Sequence, residues 1–185
     1  MTAGDGGAMI TVRPAHTVEL AEVGDLTVRA YVDGVLSPED GYVHHLRDAV
    51  TRAREAELYV ALVDGALAGT VTFCPQGSPW GEIAQPGEGE FRMLAVDPAH
   101  RRQGVAEALV GVCLERAREL GYDGLVLSSL EVQAPAQRIY RRLGFRRDPD
   151  RDWSPVEGVD LKAFVLRFDE TAGTGAAHPR GVPRR

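Results

Sequence analysis

The chain has 185 residues and a formal net charge of −6 at pH 7, with 44% hydrophobic and 26% charged residues. This length suits one domain with one hydrophobic core, and the composition is ordinary for a soluble globular protein. An acidic chain is a poor candidate for nucleic-acid binding as its main role. No apolar run reaches the roughly 18 residues that a membrane span needs, so neither nucleic acid nor membrane is a predicted partner.

The two cysteines and the chain ends indicate the compartment and the domain limits. Cys74 and Cys113 are isolated, with no Cys-x-x-Cys pattern, which argues against a zinc site and a disulfide framework. The N-terminus lacks the charged and apolar regions of a signal peptide. We therefore expect a reduced, cytoplasmic protein without a metal. Residues 1–8 and 169–185 are expected to be disordered, which leaves a folded domain over residues 9–168.

Residues 10–56 show one strand pattern followed by two helix patterns. Ile10 to Pro14 alternates apolar and polar residues, which predicts a first strand. A helix is predicted to follow, with Thr17 as its N-cap. A second helix is predicted after Ser37-Pro38-Glu39-Asp40 and is expected to run to about Ala56.

Two apolar, β-branched runs follow, and a long loop separates them from the centre of the chain. Leu58–Val63 and Ala66–Cys74 are joined by Asp64-Gly65, a strong hairpin signal. The Gly- and Pro-rich stretch from Pro75 to Gly89 is predicted to be a loop. Loops of this length are uncommon in compact domains and are often functional.

The most informative stretch runs from Glu90 to Leu120. A short apolar run, Phe91–Val96, predicts a buried strand. A polar turn and an amphipathic helix from Val105 follow. A helix start presents free N–H groups, and Gly104 lets the backbone approach a bulky anion closely. Residues 101–106 therefore indicate an anion site, and the preferred anion is a phosphate or pyrophosphate. The alternative is that Gly104 only marks a turn and that the two arginines are solvated.

The pattern Arg-x-x-Gly-x-Ala after Leu-Ala-Val-Asp-Pro resembles motif A of the GCN5-related N-acetyltransferase (GNAT) family. The family usually has Gly where this chain has Ala106. The resemblance implies acetyl-coenzyme A as cofactor, with its pyrophosphate held by the loop and its pantetheine arm by the preceding strand. The resemblance assigns to the cofactor, from this motif, Leu94, Ala95, Val96, Arg101, Arg102, Gln103, Gly104, Val105 and Ala106. A second motif, described next, adds Gln133, Ala136 and Tyr140.

The segment from Gln133 to Phe145 looks like motif B of the same family. Ala136, Tyr140 and Gly144-Phe145 match its usual form, whereas Gln133 replaces an asparagine that usually holds the cofactor arm. The resemblance implies that Tyr140 is the acid that protonates the leaving thiolate. The alternative is that Tyr140 packs its ring and bonds a backbone group.

The remaining patterns predict a strand at Leu125–Leu130, a short helix at Pro135–Leu143 and a closing strand at Val159–Phe168. The β-α-β stretch in the middle implies at least one parallel strand pair. The order matches the GNAT fold. The predicted class is therefore α/β (α+β), with a mixed, mostly antiparallel sheet of six to seven strands flanked by about four helices.

Glu90 is the sequence candidate for the general base. In the histone-acetylating branch of the family a glutamate stands six residues before the apolar residue that closes this strand, which here is Val96. Arg92 shares a strand face with Glu90, so a structural ion pair is the open alternative, and a water relay is another.

Acceptor contacts are predicted by fold analogy for Tyr31, His44, Trp80, Glu82 and Trp153, with His45 as an alternative to His44. The glutamates Glu82, Glu88 and Glu90 favour a cationic acceptor such as a polyamine or a peptide amine. The resemblance thus predicts an N-acetyltransferase that uses direct attack in a ternary complex and has an amine acceptor. A homodimer is possible for such a protein.

Two other classes of protein stay open at this point. One is a non-catalytic acyl-coenzyme A-binding module that senses the cofactor or regulates a partner. The other is an enzyme that binds a nucleotide phosphate through the Gly104 loop. Against the second, the sequence has no Gly-x-Gly-x-x-Gly after its first strand and no Walker motif.

Overall fold

A computed structural model describes residues 8–168 of the chain. Within this range the chain forms seven strands and five α-helices. The strands are β1 (Ile10–Pro14), β2 (Glu57–Val63), β3 (Ala66–Cys74), β4 (Glu88–Val96), β5 (Gly124–Leu130), β6 (Arg146–Arg147) and β7 (Leu161–Arg167). The helices are α1 (Leu20–Val32), α2 (Val43–Arg47), α3 (Ala49–Glu55), α4 (Val105–Glu119) and α5 (Ala134–Arg142). The predicted disordered ends lie outside the described residues, apart from Ala8.

All seven strands belong to one sheet, in the order β1-β2-β3-β4-β5-β7-β6. The β4–β5 pair is parallel and every other pair in the described range is antiparallel. This arrangement confirms the predicted mixed, mostly antiparallel sheet. The β2–β3 hairpin is also confirmed, because Asp64 and Gly65 both have positive φ angles, 49° and 86°, as a tight two-residue hairpin turn requires.

Side chains that alternate along the strands bury the two faces of the sheet under different helices. On β2, Ala61 and Val63 belong to the large core beneath α4 and α5, whereas Leu58 and Val60 pack with α1 and α3. A strand places successive side chains on opposite faces, so both faces of the sheet are covered by helices.

Two of the predicted helix boundaries were wrong. The first helix is preceded by a short 3-10 turn, Thr17–Glu19, and Thr17 is not its N-cap. Instead the Glu19 carboxylate accepts the backbone N–H of His16 at 2.8 Å. The predicted single second helix is broken into α2 and α3 at Asp48, whose side chain accepts the N–H of Thr51 at 3.0 Å and starts a new helix.

Two classes of feature are absent from the described part of the chain. None of the helices within residues 8–168 is long and apolar enough to cross a bilayer. In the same range no three His, Cys, Asp or Glu side chains are grouped so that they could hold a metal ion.

The central strands β4 and β5 separate after a short stretch of pairing. β5 pairs with β4 only where Gly124–Val126 meets Glu88–Glu90. Further along β4 the register against β3 shifts between Thr70 and Thr72, and Met93 has a φ of +50°. A bulge with a left-handed residue bends its strand, so β4 turns away from β5 and a cleft opens between them.

Candidate active site

The cleft between β4 and β5 exposes one backbone edge of β4. From Phe91 to Val96 this edge has no strand partner on the β5 side within the described residues. A free strand edge offers N–H and C=O groups to an extended ligand. Leu94, Ala95 and Val96 line a cavity of about 600 Å³ on this edge. That volume lies within the usual range for small-molecule sites, roughly 300 to 1,000 Å³.

The turn before α4 closes one side of this first cavity. Gly104 has a φ of +88° and stands at the N-cap of α4, a conformation that side chains strongly disfavour. The first N–H groups of α4 have no partner within their helix and lie at the positive end of the helix dipole. The loop therefore has the geometry of an anion site.

The two arginines of the loop play different parts. Arg101 bonds Asp33 at 2.6 Å, so its charge is largely compensated while it ties the loop to the end of α1. Arg102 is exposed, has a φ of +62° and lines the first cavity. Arg102 is thus the arginine of this loop that offers more charge to a bound anion.

Most residues that the two motifs assign to a cofactor lie together around the first cavity. Those that line it are Leu94, Ala95, Val96, Arg101, Arg102, Gly104, Val105, Ala106, Gln133 and Ala136. Gln103 does not line it, because its amide turns back toward the Ala99 carbonyl at 3.4 Å. Tyr140 also lies outside the lining.

Sequence reasoning missed an ion pair across the mouth of the first cavity. Glu107, in the first turn of α4, pairs with Arg142 at the end of α5, and both residues line the cavity. Glu107 lies close to Gly104. The Arg-rich end of α5 was a visible signal, but only the fold shows that it meets α4.

A second cavity of about 470 Å³ adjoins the first along β4. Arg92 and Met93 line the second cavity, whereas Leu94 to Val96 line the first. Tyr31 and Gln133 line both. The two cavities therefore meet at these two side chains.

Gln133 and Tyr31 are held in place at the junction. The Gln133 side-chain oxygen accepts the N–H of Leu130 at 3.0 Å and the Ser129 hydroxyl at 3.2 Å, which directs its amide NH₂ group away from that loop. Burial raises the pKa of Tyr31, and Arg92 and Gln133 act in the opposite direction. Tyr31 is therefore a neutral hydroxyl at physiological pH.

A family model described as the acetyltransferase (GNAT) family matches residues 20–145, well over half of the chain. This chain belongs to the GNAT family. The match includes both motifs, the whole of α1 and the central strands β4 and β5. The predicted family membership is therefore confirmed.

Curated relatives resemble only part of the chain. Human N-acetyltransferase 8 is 43% identical over 54 residues, which are 29% of this chain and 24% of that protein. Rat N-acetyltransferase 8B is 33% identical over 98 residues, 51% of this chain and 41% of that protein. The chain thus spans about a quarter to one half of the length of the curated relatives that it matches.

Solved GNAT structures share the fold over nearly the whole chain. The PaiA N-acetyltransferase of Thermoplasma acidophilum, in complex with coenzyme A, has a TM-score of 0.68 at 13% identity and covers 86% of this chain and 99% of that one. A GNAT acetyltransferase of Brucella melitensis, in complex with acetyl-CoA, has a TM-score of 0.58 at 22% identity, with 94% of each chain covered. At these identities the likeness shows the GNAT fold alone.

Tyr140 of this GNAT domain packs in an aromatic cluster. Its ring centroid lies 5.8 Å from that of Phe91, 6.1 Å from that of Phe145 and 6.0 Å from that of Phe164. Burial is the main cause that raises the pKa of Tyr140, and the neighbouring Tyr31 raises it further. The ring is thus a core element, and Tyr140, whose hydroxyl is neutral, lines neither cavity.

Glu90 is fully buried and holds the preceding loop. Its Oε2 accepts the backbone N–H groups of Glu82, Ile83 and Ala84 at 2.8, 2.9 and 3.1 Å. Its Oε1 is buried without a hydrogen-bond partner. Glu90 lines neither cavity, and Arg92 pairs with Glu82 rather than with Glu90.

The other glutamates of this region are also compensated within the protein. Glu88 is fully buried between Arg151 and Arg167. Glu82 lies 3.0 Å from a guanidinium nitrogen of Arg92. The three glutamates therefore do not form an open anionic surface, and they give no support to the predicted polyamine acceptor.

Three of the five predicted acceptor contacts line the second cavity, namely Tyr31, Glu82 and Trp153. His45 lines it too, whereas His44 does not. Trp80 lies outside the lining, and its indole N–H donates to Glu55 at 3.2 Å while its carbonyl accepts from Arg92.

Proposed function

We propose that this GNAT protein is an acetyl-coenzyme A-dependent N-acetyltransferase that acts on a primary amine by direct attack in a ternary complex. The observation that carries the proposal is the meeting of two cavities in the β4–β5 cleft at Tyr31 and Gln133. The first cavity combines an anion site at the start of α4 with the free edge of β4. The second cavity is lined by both apolar and polar side chains. Two ligands can therefore occupy the cleft side by side.

The first cavity fits acetyl-coenzyme A, which supplies a thioester for transfer when bound. The N-terminal N–H groups of α4, with Gly104 and Arg102, would hold its pyrophosphate. The free edge of β4 at Leu94–Val96 would bond its amide arm. Gln133 closes the cavity at the junction, where the predicted asparagine contact of the family is replaced by a longer amide.

The transfer itself needs few groups from the protein. The amine nitrogen bonds to the carbonyl carbon as the carbon–sulfur bond breaks; the electron pair leaves on sulfur and the amine gives up one proton. Positioning of the two reactants contributes much of the acceleration. The chain's task is thus to hold the amine unprotonated beside the junction and to stabilise the leaving thiolate.

Tyr140 is proposed to stabilise that thiolate by hydrogen bonding. A free thiol has a pKa of about 8.5, whereas burial raises the pKa of Tyr140 above its ordinary value. Full proton transfer from Tyr140 to the thiolate is therefore uphill. The hydroxyl contributes as a hydrogen-bond donor, and the thiolate takes its final proton from solvent.

Glu90 is proposed to position the acceptor wall rather than to act as the base. Its Oε2 already accepts three N–H groups and it lines neither cavity. The loop that it holds carries Glu82, which does line the second cavity. Glu90 would thus act indirectly, by fixing the position of Glu82 in the wall of the second cavity.

The first test is calorimetric titration of the protein with acetyl-coenzyme A. Gly104→Glu would place a strained side chain and a negative charge in the anion loop and should abolish binding. Gly111→Glu is the matched control, since it adds the same charge to the same helix at a position with open space around it. At a hundred times its dissociation constant the ligand should stabilise the fold by about 2.7 kcal/mol.

Turnover separates an enzyme from a binding module. Release of thiol from acetyl-coenzyme A in the presence of a mixed amine panel is the expected result. Binding without turnover on any amine would replace the proposal with the non-catalytic acyl-coenzyme A-binding module. Equal affinity of Gly104→Glu and Gly111→Glu would show that the loop is not the cofactor site.

The proposal also includes a cytoplasmic location and assembly into a homodimer. Cys74 and Cys113 are both free and buried, which is compatible with a reducing compartment such as the cytoplasm. The homodimer stays a prediction, which sedimentation at several protein concentrations would test.

A further inference from the structure

The second cavity combines a mostly apolar lining with one guanidinium, that of Arg92, and two carboxylates, those of Glu82 and Asp40. Its apolar lining comes from separate parts of the chain and includes Leu36, Met93, Leu130, Trp153, Val156 and Leu161. The charged pair on its wall is Arg92 and Glu82, at 3.0 Å. A charged pair in a mostly apolar cavity is costly to desolvate unless its remaining hydrogen-bonding groups are satisfied, so a ligand that satisfies them gains affinity.

Arg92 is held rigidly but keeps donors for a ligand. Its side chain is 16% exposed. One guanidinium nitrogen donates to the Trp80 carbonyl at 2.9 Å, and the other lies 3.4 Å from the Tyr42 hydroxyl and 3.0 Å from Glu82. A guanidinium has five N–H groups, and these contacts engage both N–H groups of one terminal nitrogen and one of the other. A carboxylate in the cavity would therefore be bound by the positive charge of Arg92 and by a single remaining terminal N–H group.

Glu82 is held beside Arg92 by its own backbone. Its N–H donates to the buried Glu90 carboxylate at 2.8 Å, which fixes the position of the residue on the loop. Burial raises the pKa of Glu82, which makes it a better proton acceptor, although Arg92 acts against this. Glu82 can therefore bind an ammonium group and take a proton from it.

A second buried cation, Arg52, lies close to the residues that line the cavity. Arg52 is fully buried, bonds Thr72, Thr27 and the Leu46 carbonyl, and has no carboxylate within ion-pair distance among residues 8–168. Its charge influences Tyr31 and Tyr42, both of which line the second cavity. The lining thus holds the carboxylates of Glu82 and Asp40 and the guanidinium of Arg92, and Arg52 adds a further positive charge close to it.

We propose that the acceptor is a free α-amino acid with an apolar or aromatic side chain, a proposal that rests on the acetyltransferase function above. Arg92 binds the carboxylate of the amino acid, Glu82 binds its ammonium group and accepts one proton, and the apolar walls receive its side chain. The neutral amine then faces the junction at Tyr31 and Gln133. The opposite charges of an α-amino acid are one carbon apart, which suits a guanidinium and a carboxylate 3.0 Å apart.

The test uses paired acceptors that differ only in the carboxylate. The rate of thiol release from acetyl-coenzyme A is measured with phenylalanine and phenethylamine, with leucine and 3-methylbutylamine, and with spermidine. The wild-type protein should prefer each amino acid to its decarboxylated partner by at least about 30-fold in kcat/KM, the lower end for loss of a buried charged contact. Spermidine should be a poor acceptor.

Arg92→Gln should reduce this preference to within about threefold, since the amide keeps a polar group but loses the positive charge. The preference is a ratio within one protein sample, so partial unfolding of the variant does not change it. Arg92→Lys, which keeps the charge, should keep part of the preference. Arg138→Gln is the control, because Arg138 is exposed and lines neither cavity.

Three results would overturn the inference. Turnover of phenethylamine or spermidine in preference to the amino acids would refute the amino-acid acceptor while leaving the acetyltransferase function intact. An unchanged preference in Arg92→Gln would remove Arg92 from carboxylate recognition. Absence of turnover on every amine, with acetyl-coenzyme A still bound, would refute the acetyltransferase function and this inference together.

Discussion

A substitution at the buried Glu90 can decide whether this residue is a catalytic base or a positioning residue. Glu90→Gln keeps the size of the side chain and removes its charge. The amide oxygen can still accept the N–H groups of residues 82–84, and the NH₂ group can occupy the place of Oε1, which has no partner in the wild type. The variant should therefore fold.

The expected loss of stability follows from those three contacts. A hydrogen bond to a charged group contributes about 1.5–3 kcal/mol and a neutral one about 0.5–1.5 kcal/mol. Glu90→Gln replaces a charged acceptor with a neutral one and so weakens each of the three hydrogen bonds. Because the three donors share one oxygen, we expect a total decrease in the free energy of unfolding of about 2–3 kcal/mol. Glu90→Ala leaves three N–H groups without their acceptor and should lose more, about 4–5 kcal/mol.

Urea unfolding and pH–rate profiles together decide between the two roles of Glu90. As a positioning residue, Glu90→Gln should lower stability by the stated amount, raise KM for the acceptor and leave the shape of the pH profile unchanged. As a base, it should lower kcat by about 10²- to 10⁴-fold with little change in stability. Glu115→Gln, on the exposed face of α4, is the matched control for the loss of one negative charge.

Three further predictions follow from other contacts. Tyr140→Phe should lower kcat only about tenfold, less than the 10²- to 10⁴-fold of a full general acid, in a steady-state assay; a larger loss would contradict the hydrogen-bond role. The Arg13 guanidinium bonds Glu19 and lowers the pKa of Glu19 from 4.5 to about 2, so the pair stabilises the fold above pH 4.5. Glu19→Gln should therefore be less stable than wild type at pH 7 in urea unfolding, and the difference should vanish as pH falls toward 2. Arg151→Ala leaves the fully buried Glu88 with one cation fewer and should lower the free energy of unfolding by about 3 kcal/mol, whereas a change below 1 kcal/mol would show that the remaining contacts suffice.

Local patterns in the sequence predicted the part of the first cavity formed by the end of β4 and the Gly104 turn, but not the Glu107–Arg142 ion pair. The strand, turn and helix around Gly104 are contiguous, so the motif fixes which residues face the cleft once the helix start is known. The hairpin at Asp64-Gly65 was likewise readable from two residues. The break at Asp48 was also local and readable, because aspartate three residues before the N–H that it accepts is a common helix N-cap.

The roles of Glu90 and Tyr140 could not be decided from the sequence in the same way. Whether Glu90 faces a substrate or a loop depends on how residues 82–84 fold back over it. Whether the Tyr140 hydroxyl reaches the cleft depends on packing against Phe91 and Phe164, which are distant in sequence. Periodicity reports the face on which a residue lies and carries no information about these partners.

The loop from residue 75 to residue 87 links the stability of the sheet to the choice of acceptor. Its backbone is held by two buried carboxylates of β4, since Glu88 accepts the N–H of Gln85 and Glu90 accepts those of residues 82–84. The same loop supplies Glu82 and the Trp80 carbonyl that orients Arg92. Buried charges are an expensive way to secure a loop when apolar packing would serve. Their use here is explained if the loop must present a charged pair at a fixed place in an apolar cavity, and substitutions at Glu88 or Glu90 should then change acceptor preference as well as stability.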